Sequence, residues 1–267
     1  MPTRFGQAPA LRLPQWNLWL KWLQEHAGPR IYMVIMMTGA FGLRCGEALA
    51  LRREDVNLDL AIPKLVITGS TPGARKSPGD VYVRKQHLHL MRRMFQSGVT
   101  CLRTKGHKHG KGNRKTIKYE EHWEIPKSGY IFRSRTKATR GHLHYQAVYT
   151  AVKREAPKFA KHLAESGMPV GTDVAKLRPH SGRATLITEL MGEGMVTALS
   201  MKYARHAPGS YKVHLKYGRL SLEDVKAACD VLKGSRQKTV WSTMTTPALL
   251  AAQKGITKEL QLRLRKK

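Results

Sequence analysis

The excess of basic over acidic side chains is the feature that most limits what this chain can fold into. Lysine and arginine total 48 and aspartate and glutamate total 18 in 267 residues, which gives a formal net charge of +30. Such an excess opposes compaction and favours a polyanionic partner. Because the chain is long and 41% of its residues are hydrophobic, it can nevertheless build a substantial core.

Nucleic acid is the polyanion that fits this charge best, because each phosphate contact releases counterions. A membrane surface fits less well, since no basic amphipathic helix is flanked by aromatic side chains that could face lipid. The three cysteines, Cys45, Cys101 and Cys229, are far apart and form neither a disulfide framework nor a CxxC zinc site. With no apolar leader or membrane-spanning run at hand, we expect an intracellular, DNA-associated protein without membrane contact.

Hydrophobic periodicity predicts a mainly α fold with one small antiparallel β-sheet (α+β). Helices are predicted for segments 15–28, 30–42, 44–56, 86–98, 145–156, 176–192, 195–206 and 221–232. Strands are predicted for 64–69 and 80–85, joined by a Gly- and Pro-rich hairpin tip, and for 129–132. Residues 103–118 carry seven Lys or Arg, three glycines and no acid, which indicates a flexible basic loop.

Several charged or titratable residues occupy positions beside apolar helices, where such side chains are energetically unfavourable. Arg44 follows an apolar helix and a glycine corner, with Glu47 one turn on; the pair is either an ordinary surface pair or an anion-binding guanidinium oriented by a carboxylate. His180 and Arg183 share one helix face, where a cation and an imidazole repel unless an anion lies between them. Alternatively, His180 is a helix-end histidine, and Lys76, on the hairpin tip, is merely solvated.

The order Arg-x-x-Glu, hairpin Lys, His-x-x-Arg, His, Tyr resembles the tyrosine recombinase (integrase) family. "TGAFGLRCGEALALRREDV" resembles the family's first-arginine box, and "KLRPHSGRATLITELMGEGM" its His-x-x-Arg helix, with the glycine stop in the usual place. The resemblance covers approximately residues 28–230, and the interval from Arg183 to His206 is about that of the family. It implies the tyrosine recombinase catalytic-domain fold.

The resemblance also implies a mechanism in which a tyrosine attacks a DNA phosphodiester and forms a 3′-phosphotyrosyl link. Arg44 and Arg183 would clamp the non-bridging phosphate oxygens, so that no metal or other cofactor is expected. His180 would accept the tyrosine proton or donate to the phosphate. Lys76 would protonate the leaving 5′-oxygen, and His206 would donate to a phosphate oxygen. Glu47 would orient its neighbours from behind them.

The match departs from the family at three places. The interval from His206 to Tyr217 is about two residues longer than usual, so that Tyr211 is a rival nucleophile; "YGRLS" followed by "LED" favours Tyr217. Only some 27 residues precede the catalytic region, where family members usually carry a helical DNA-clamp domain. A basic insertion occupies residues 103–127, and its "HKH" is a weak metal motif without ligands at suitable spacing.

These features divide the chain into an N-terminal tail with a short helix (1–27), a catalytic domain (28–232) and a basic C-terminal tail (233–267). Contacts to the DNA backbone are predicted for Arg75, Lys105, Lys108, Lys111, Arg114 and Lys115. The partners expected are double-stranded DNA and further copies of the chain, in a tetramer on DNA. The predicted function is site-specific recombination or integration for a mobile element.

Three alternatives stay open at this point. The chain could be a DNA-binding relative that has lost its nucleophile. It could be a basic RNA- or ribosome-binding protein in which the order of the motifs is a coincidence. It could also be a topoisomerase-like enzyme that relaxes DNA with the same residues and without a sequence-defined partner.

Overall fold

The apolar segment that the sequence predicts to be a buried helix lies at the centre of the fold. A computed structural model of the chain describes residues 8–68, 78–109, 113–134, 141–167, 174–195 and 197–206. Its described helices are α1 (Leu13–His26), α2 (Pro29–Phe41), α3 (Cys45–Ala50), α4 (Lys85–Ser97), α5 (Tyr145–Glu165), α6 (Ser181–Gly192) and α7 (Thr197–Tyr203). Its described strands are β1 (Val56–Asn57), β2 (Lys64–Ile67), β3 (Gly79–Tyr82), β4 (Val99–His109) and β5 (Asn113–Trp123).

The chain divides into two units, residues 1–220 and 221–267, and all described residues belong to the first. The mainly α prediction with antiparallel sheet is confirmed, although the described strands form two small sheets and not one. None of the described helices combines the length and apolar character needed to cross a membrane.

Helix α2 is buried along almost its whole length, as expected for an apolar helix of a core. Pro29 occupies its first turn, where the missing N–H costs nothing. Gly42 ends it in the left-handed region, with φ of 63°, which a glycine adopts without strain. Gly39 lies inside α2, where its missing Cβ makes room for the ring of Trp16.

The close approach of α6 to α2 places the start of α6 beside the end of α2. A Cβ on Gly182 would lie 2.8 Å from both the Gly39 nitrogen and Cη2 of Trp16, so only a glycine permits this packing. Helix α1 packs on the same core. Its Trp16 and Trp19 are buried, and Trp19 contacts Phe159 of α5 with ring centroids 5.1 Å apart. The residues on either side of Gly42 and Gly182 are thereby held together.

The hairpin predicted between residues 64 and 85 is confirmed in its two strands. Strand β2 pairs antiparallel with β3, with Leu65 opposite Val81, and β1 adds a third strand on the other side of β2. Leu65 and Val81 are buried, so this sheet presents one face to the core. The tip of the hairpin lies outside the described residues.

The prediction of a flexible loop at 103–118 is wrong. Strands β4 and β5 form an antiparallel ribbon in which the register runs from Val99 opposite Trp123 to His109 opposite Asn113. Its base is fixed by buried Val99 and Cys101, and by an ion pair of 2.5 Å between Arg103 and Glu121. Backbone pairing across the two strands forms this ribbon, and composition alone does not reveal such pairing.

Two further predictions are corrected. The helix predicted for 44–56 ends at Ala50, and a single 3-10 turn at Arg53–Asp55 leads into β1. The strand predicted at 129–132 is replaced by two isolated bridges, Arg52 with Tyr130 and Arg133 with His142. The predicted helices over 145–156 and 176–192 are confirmed, α5 being longer than expected and α6 starting at Ser181. Residues 221–232 lie outside the described part of the chain.

Candidate active site

Arg44 and Glu47 form a partly buried pair and not an ordinary surface pair. Arg44 is the N-cap of α3; its backbone N–H donates to Glu47 Oε2 at 2.7 Å, and its Nη1 donates to Glu47 Oε1 at 2.7 Å. The Glu47 side chain is fully buried, whereas that of Arg44 is 26% exposed. The guanidinium is therefore fixed from behind by a carboxylate and keeps an exposed edge.

A second guanidinium, which the sequence analysis missed, completes the environment of Glu47. Arg205 Nη2 donates to Glu47 Oε2, and only 6% of the Arg205 side chain is exposed. Arg205 follows the last turn of α7 with φ of 52°, a value that few residues other than glycine adopt. An arginine at a helix end ordinarily indicates a solvated cation, so the sequence carries no signal for this burial.

Arg183 contacts the backbone of both segments that carry the other two guanidiniums. The residue is 1% exposed, and its Nη1 donates to the Gly42 carbonyl while its Nη2 donates to the Ala204 carbonyl. Gly42 precedes Arg44 by two residues and Ala204 immediately precedes Arg205. Arg183 thus fixes the backbone from which both other guanidiniums extend.

His180 lies at the N-cap position of α6, half-buried beside this group of charges. Burial, as the largest cause, and the nearby cations Arg183 and Arg44 together lower the pKa of His180 to about 4, whereas Glu47 opposes them. The pKa near 6.5 of an unperturbed histidine therefore does not apply to His180 in the free protein. At neutral pH the ring is uncharged and keeps a nitrogen that can accept a proton.

This pKa makes the stability of the protein depend on His180 below pH 6.5. The folded pKa is depressed, so the unfolded chain binds the proton first, and stability is lost as pH falls from about 6.5 through 4. We expect the wild type to lose up to about 3 kcal/mol more than His180→Gln over this range. Urea titrations at several pH values measure the difference, and His89→Gln, at an exposed histidine, is the control. Parallel pH profiles for the wild type and His180→Gln would contradict the assignment.

His206 is half-buried directly after Arg205, and its backbone N–H donates to the Met201 carbonyl at 2.9 Å. The structure therefore brings together Arg44, Glu47, Arg183 and Arg205, with His180 within their electrostatic reach and His206 adjoining in sequence. The predicted residues Lys76, Arg75, Tyr217 and Tyr211 lie outside the described residues, so their placement stays a prediction.

The predicted backbone contacts Lys105, Lys108, Arg114 and Lys115 belong to the β4–β5 ribbon. Lys105 lies opposite Ile117, Lys108 opposite Arg114, and Lys115 opposite His107. Lys111 lies outside the described residues. The four described basic positions share one ribbon, whose pairing begins at Val99 and Trp123.

No group of three or more His, Cys, Asp or Glu suited to a metal ion occurs in the described ranges. Cys45 and Cys101 are free and buried, and burial raises the pKa of each thiol to about 12. Neither thiol is therefore poised to act as a nucleophile.

Solved structures share this fold at low sequence identity. The Tn1549 transposon integrase in complex with transposon right end DNA aligns with a TM-score of 0.54 at 16% identity, covering 87% of this chain and 69% of the integrase chain. The XerH site-specific recombinase bound to a palindromic difH substrate gives 0.53 at 16%, covering 86% and 55%. XerA recombinase gives 0.50 at 16%, covering 85% and 65%.

No protein-family model matches the sequence, and no curated protein is significantly similar to it. The structural similarity is therefore what places the fold, and it bears out the fold that the motif order implied.

Proposed function

We propose that this chain, which has the fold of tyrosine recombinase catalytic domains, cuts and rejoins DNA at specific sites through a covalent 3′-phosphotyrosyl intermediate. One observation carries the proposal. Three separate stretches of the chain bring Arg44 with Glu47, Arg183 and Arg205 into one cationic group beside the uncharged ring of His180. A cationic group of this kind suits an anion that gains negative charge during reaction, as a phosphodiester under nucleophilic attack does.

In the first step the Tyr217 hydroxyl oxygen attacks the phosphorus, and the bond between phosphorus and the 5′-oxygen breaks. The phenolic proton passes to the neutral ring of His180, whose pKa rises when the phosphate anion binds beside it. Lys76 delivers a proton to the departing 5′-oxygen. A free 5′-hydroxyl of another strand then attacks the phosphotyrosine, which reverses the step and releases the tyrosine.

Arg44 is the described guanidinium best placed to bind a phosphate oxygen, because part of its side chain is exposed while Glu47 fixes its orientation. Arg183 is almost wholly buried, with both terminal nitrogens donating to backbone carbonyls. We assign to Arg183 the support of the Gly42 and Ala204 backbone and a fixed positive charge behind the phosphate. Its direct contact with a phosphate oxygen stays a prediction.

The position of β3 supports the role proposed for Lys76. A Cβ built on Gly79, the first residue of β3, would lie 3.9 Å from Arg205 Cδ, so this end of the strand adjoins the guanidinium group. Lys76 precedes Gly79 by three residues, a stretch that spans at most about 11 Å. This short chain distance supports the role proposed for Lys76, whose own placement stays a prediction.

The β4–β5 ribbon supplies a second region for DNA, and we propose that its basic positions bind phosphates. A two-stranded ribbon fits the major groove of B-DNA, and lysine and arginine along it neutralise backbone charge. Replacing Lys105, Lys108, Arg114 and Lys115 by glutamine is expected to flatten the slope of log K against log salt by about 3 to 4. Fluorescence anisotropy with duplex DNA at several salt concentrations measures the slope, and an unchanged slope would remove the ribbon from the interface.

A nicked suicide duplex tests the proposed function directly, because loss of the short fragment beside the nick traps the covalent intermediate. The wild type is expected to give a protein–DNA adduct on a denaturing gel. Duplex binding without an adduct would indicate a relative that has lost catalysis, and preference for structured RNA would indicate an RNA-binding protein. Adducts at unrelated sequences with relaxation of supercoiled DNA would indicate a topoisomerase-like enzyme. The tetramer on DNA belongs to the proposal and is tested by sedimentation of the complex.

A further inference from the structure

Arg205 has the geometry of an anion-binding residue, although no sequence pattern indicates this role. The residue is 8% exposed, yet its Nε and Nη1 have no hydrogen-bond partner among the described residues. Buried polar groups are almost always hydrogen-bonded, and one that is not calls for a ligand, an ion or a catalytic role to explain it. The cost of leaving a buried charged donor unpaired is large enough that a partner is expected.

The backbone conformation of Arg205 also indicates a functional role. Its φ of 52° makes it the only described residue other than glycine with a positive φ. Such conformations cost free energy and persist where the surrounding structure enforces them, typically at functional sites. Here the Ala204 carbonyl is held by Arg183, and the side chain is held by Glu47, so both ends of Arg205 are fixed.

The positive charge around Arg205 favours the binding of an anion. Glu47 is a single carboxylate between two guanidiniums: its Oε1 accepts from Arg44, and its Oε2 accepts from Arg205. Arg183 adds a third guanidinium, so that three guanidiniums and the one carboxylate of Glu47 make up the described group. A phosphodiester carries one negative charge and gains a second in a pentacoordinate transition state, so this excess of guanidiniums suits the reacting group.

We propose that Arg205 is an additional phosphate-binding residue, whose Nε and Nη1 donate to an oxygen of the DNA phosphate that Arg44 also binds. The inference rests on the proposed function in so far as the phosphate is the scissile one, although anion binding by itself does not. It differs from a support role, because Nη2 alone is sufficient to hold Glu47. Arg205 therefore orients the Glu47 carboxylate with one nitrogen and contacts the ligand with the other two.

Arg205→Lys separates these two roles. A lysine ammonium can pair with Glu47 and keep the charge, but it lacks the planar fork that reaches an anion at the same time. Arg205→Gln removes the charge as well, and it serves as the second variant. Arg92→Gln is the matched control, because Arg92 is 45% exposed and pairs with Asp59 at 3.1 Å, so one positive charge is lost elsewhere.

The first measurement requires no catalysis. The melting temperature is compared in inorganic phosphate and in chloride at equal ionic strength. We expect the phosphate-specific increase of the wild type to persist in Arg92→Gln and to fall by more than half in Arg205→Lys, with circular dichroism checking that both variants are folded. An equal increase in the wild type and Arg205→Lys would overturn the proposal, whatever the outcome with Arg205→Gln.

The second measurement uses the suicide duplex with a phosphate or a neutral methylphosphonate at the cleavage position. We expect Arg205→Lys to form adduct about 10²-fold more slowly than the wild type on phosphate DNA, and to come within about threefold of it on methylphosphonate DNA. The same ratio on both substrates would overturn a phosphate contact. If the wild type forms no adduct on any DNA, the proposed function fails, and the phosphate-specific melting shift alone decides for or against Arg205.

Discussion

Tyr217→Phe is expected to abolish the covalent adduct with nicked DNA, while Tyr211→Phe retains it. The adduct requires a phenolic oxygen that becomes bonded to phosphorus, and phenylalanine removes that atom without changing the ring. DNA binding by Tyr217→Phe should stay close to that of the wild type, since the charges that hold the backbone are untouched. Denaturing gels measure the adduct, and fluorescence anisotropy measures binding by the same preparations.

The described tyrosine closest in sequence to His206 is a poor alternative nucleophile. Tyr203 is oriented by hydrogen bonds from its hydroxyl to the carbonyls of Ala40 and Tyr82, at 3.4 Å and 3.3 Å. Burial raises the pKa of Tyr203 to about 12, which disfavours its phenolate. An adduct that survives in Tyr217→Phe and disappears in Tyr211→Phe would move the nucleophile to Tyr211, and one that survives in both would remove both.

Glu47→Ala is expected to lower the free energy of unfolding by about 3–5 kcal/mol. Glu47 is fully buried, and its carboxylate pairs with two guanidiniums, one of them almost wholly buried. Removing the carboxylate leaves Arg44 and Arg205 close together without a counter-charge. Urea titration monitored by circular dichroism measures the loss, and Glu47→Gln, which keeps volume and an acceptor oxygen, should lose less.

Glu165→Ala is the control for this prediction. Glu165 is 63% exposed and pairs with Lys161 at 3.7 Å on the surface of α5, so its removal should change stability by no more than about 0.5 kcal/mol. If Glu47→Ala lost as little as this control, the three-residue pairing of Arg44, Glu47 and Arg205 would not exist in solution. The predicted site would then lack the carboxylate contact that orients Arg44.

Local sequence patterns predicted much of the fold that surrounds the site. The apolar run at 30–42 could only be a buried helix, and the glycine at its end could adopt the left-handed conformation that stops it. The alternating segments around the Gly- and Pro-rich tip indicated β2 and β3. By contrast, residues 103–118 look unstructured in composition, because the pairing of β4 with β5 depends on a partner strand and not on either strand alone.

The sequence by itself determined the helical framework, the basic character of the surface, and the motif order that carries Arg44, His180, Arg183 and His206. Only the tertiary structure decided which of these charges are buried and what they contact. Glu47 and Arg205 meet across 158 positions of the chain, and Arg183 reaches carbonyls 141 and 21 positions away. A sequence pattern reports local geometry, whereas the free energy of a buried charge depends on partners that packing brings from distant segments, so Arg205 and the shifted His180 pKa became visible only in the folded chain.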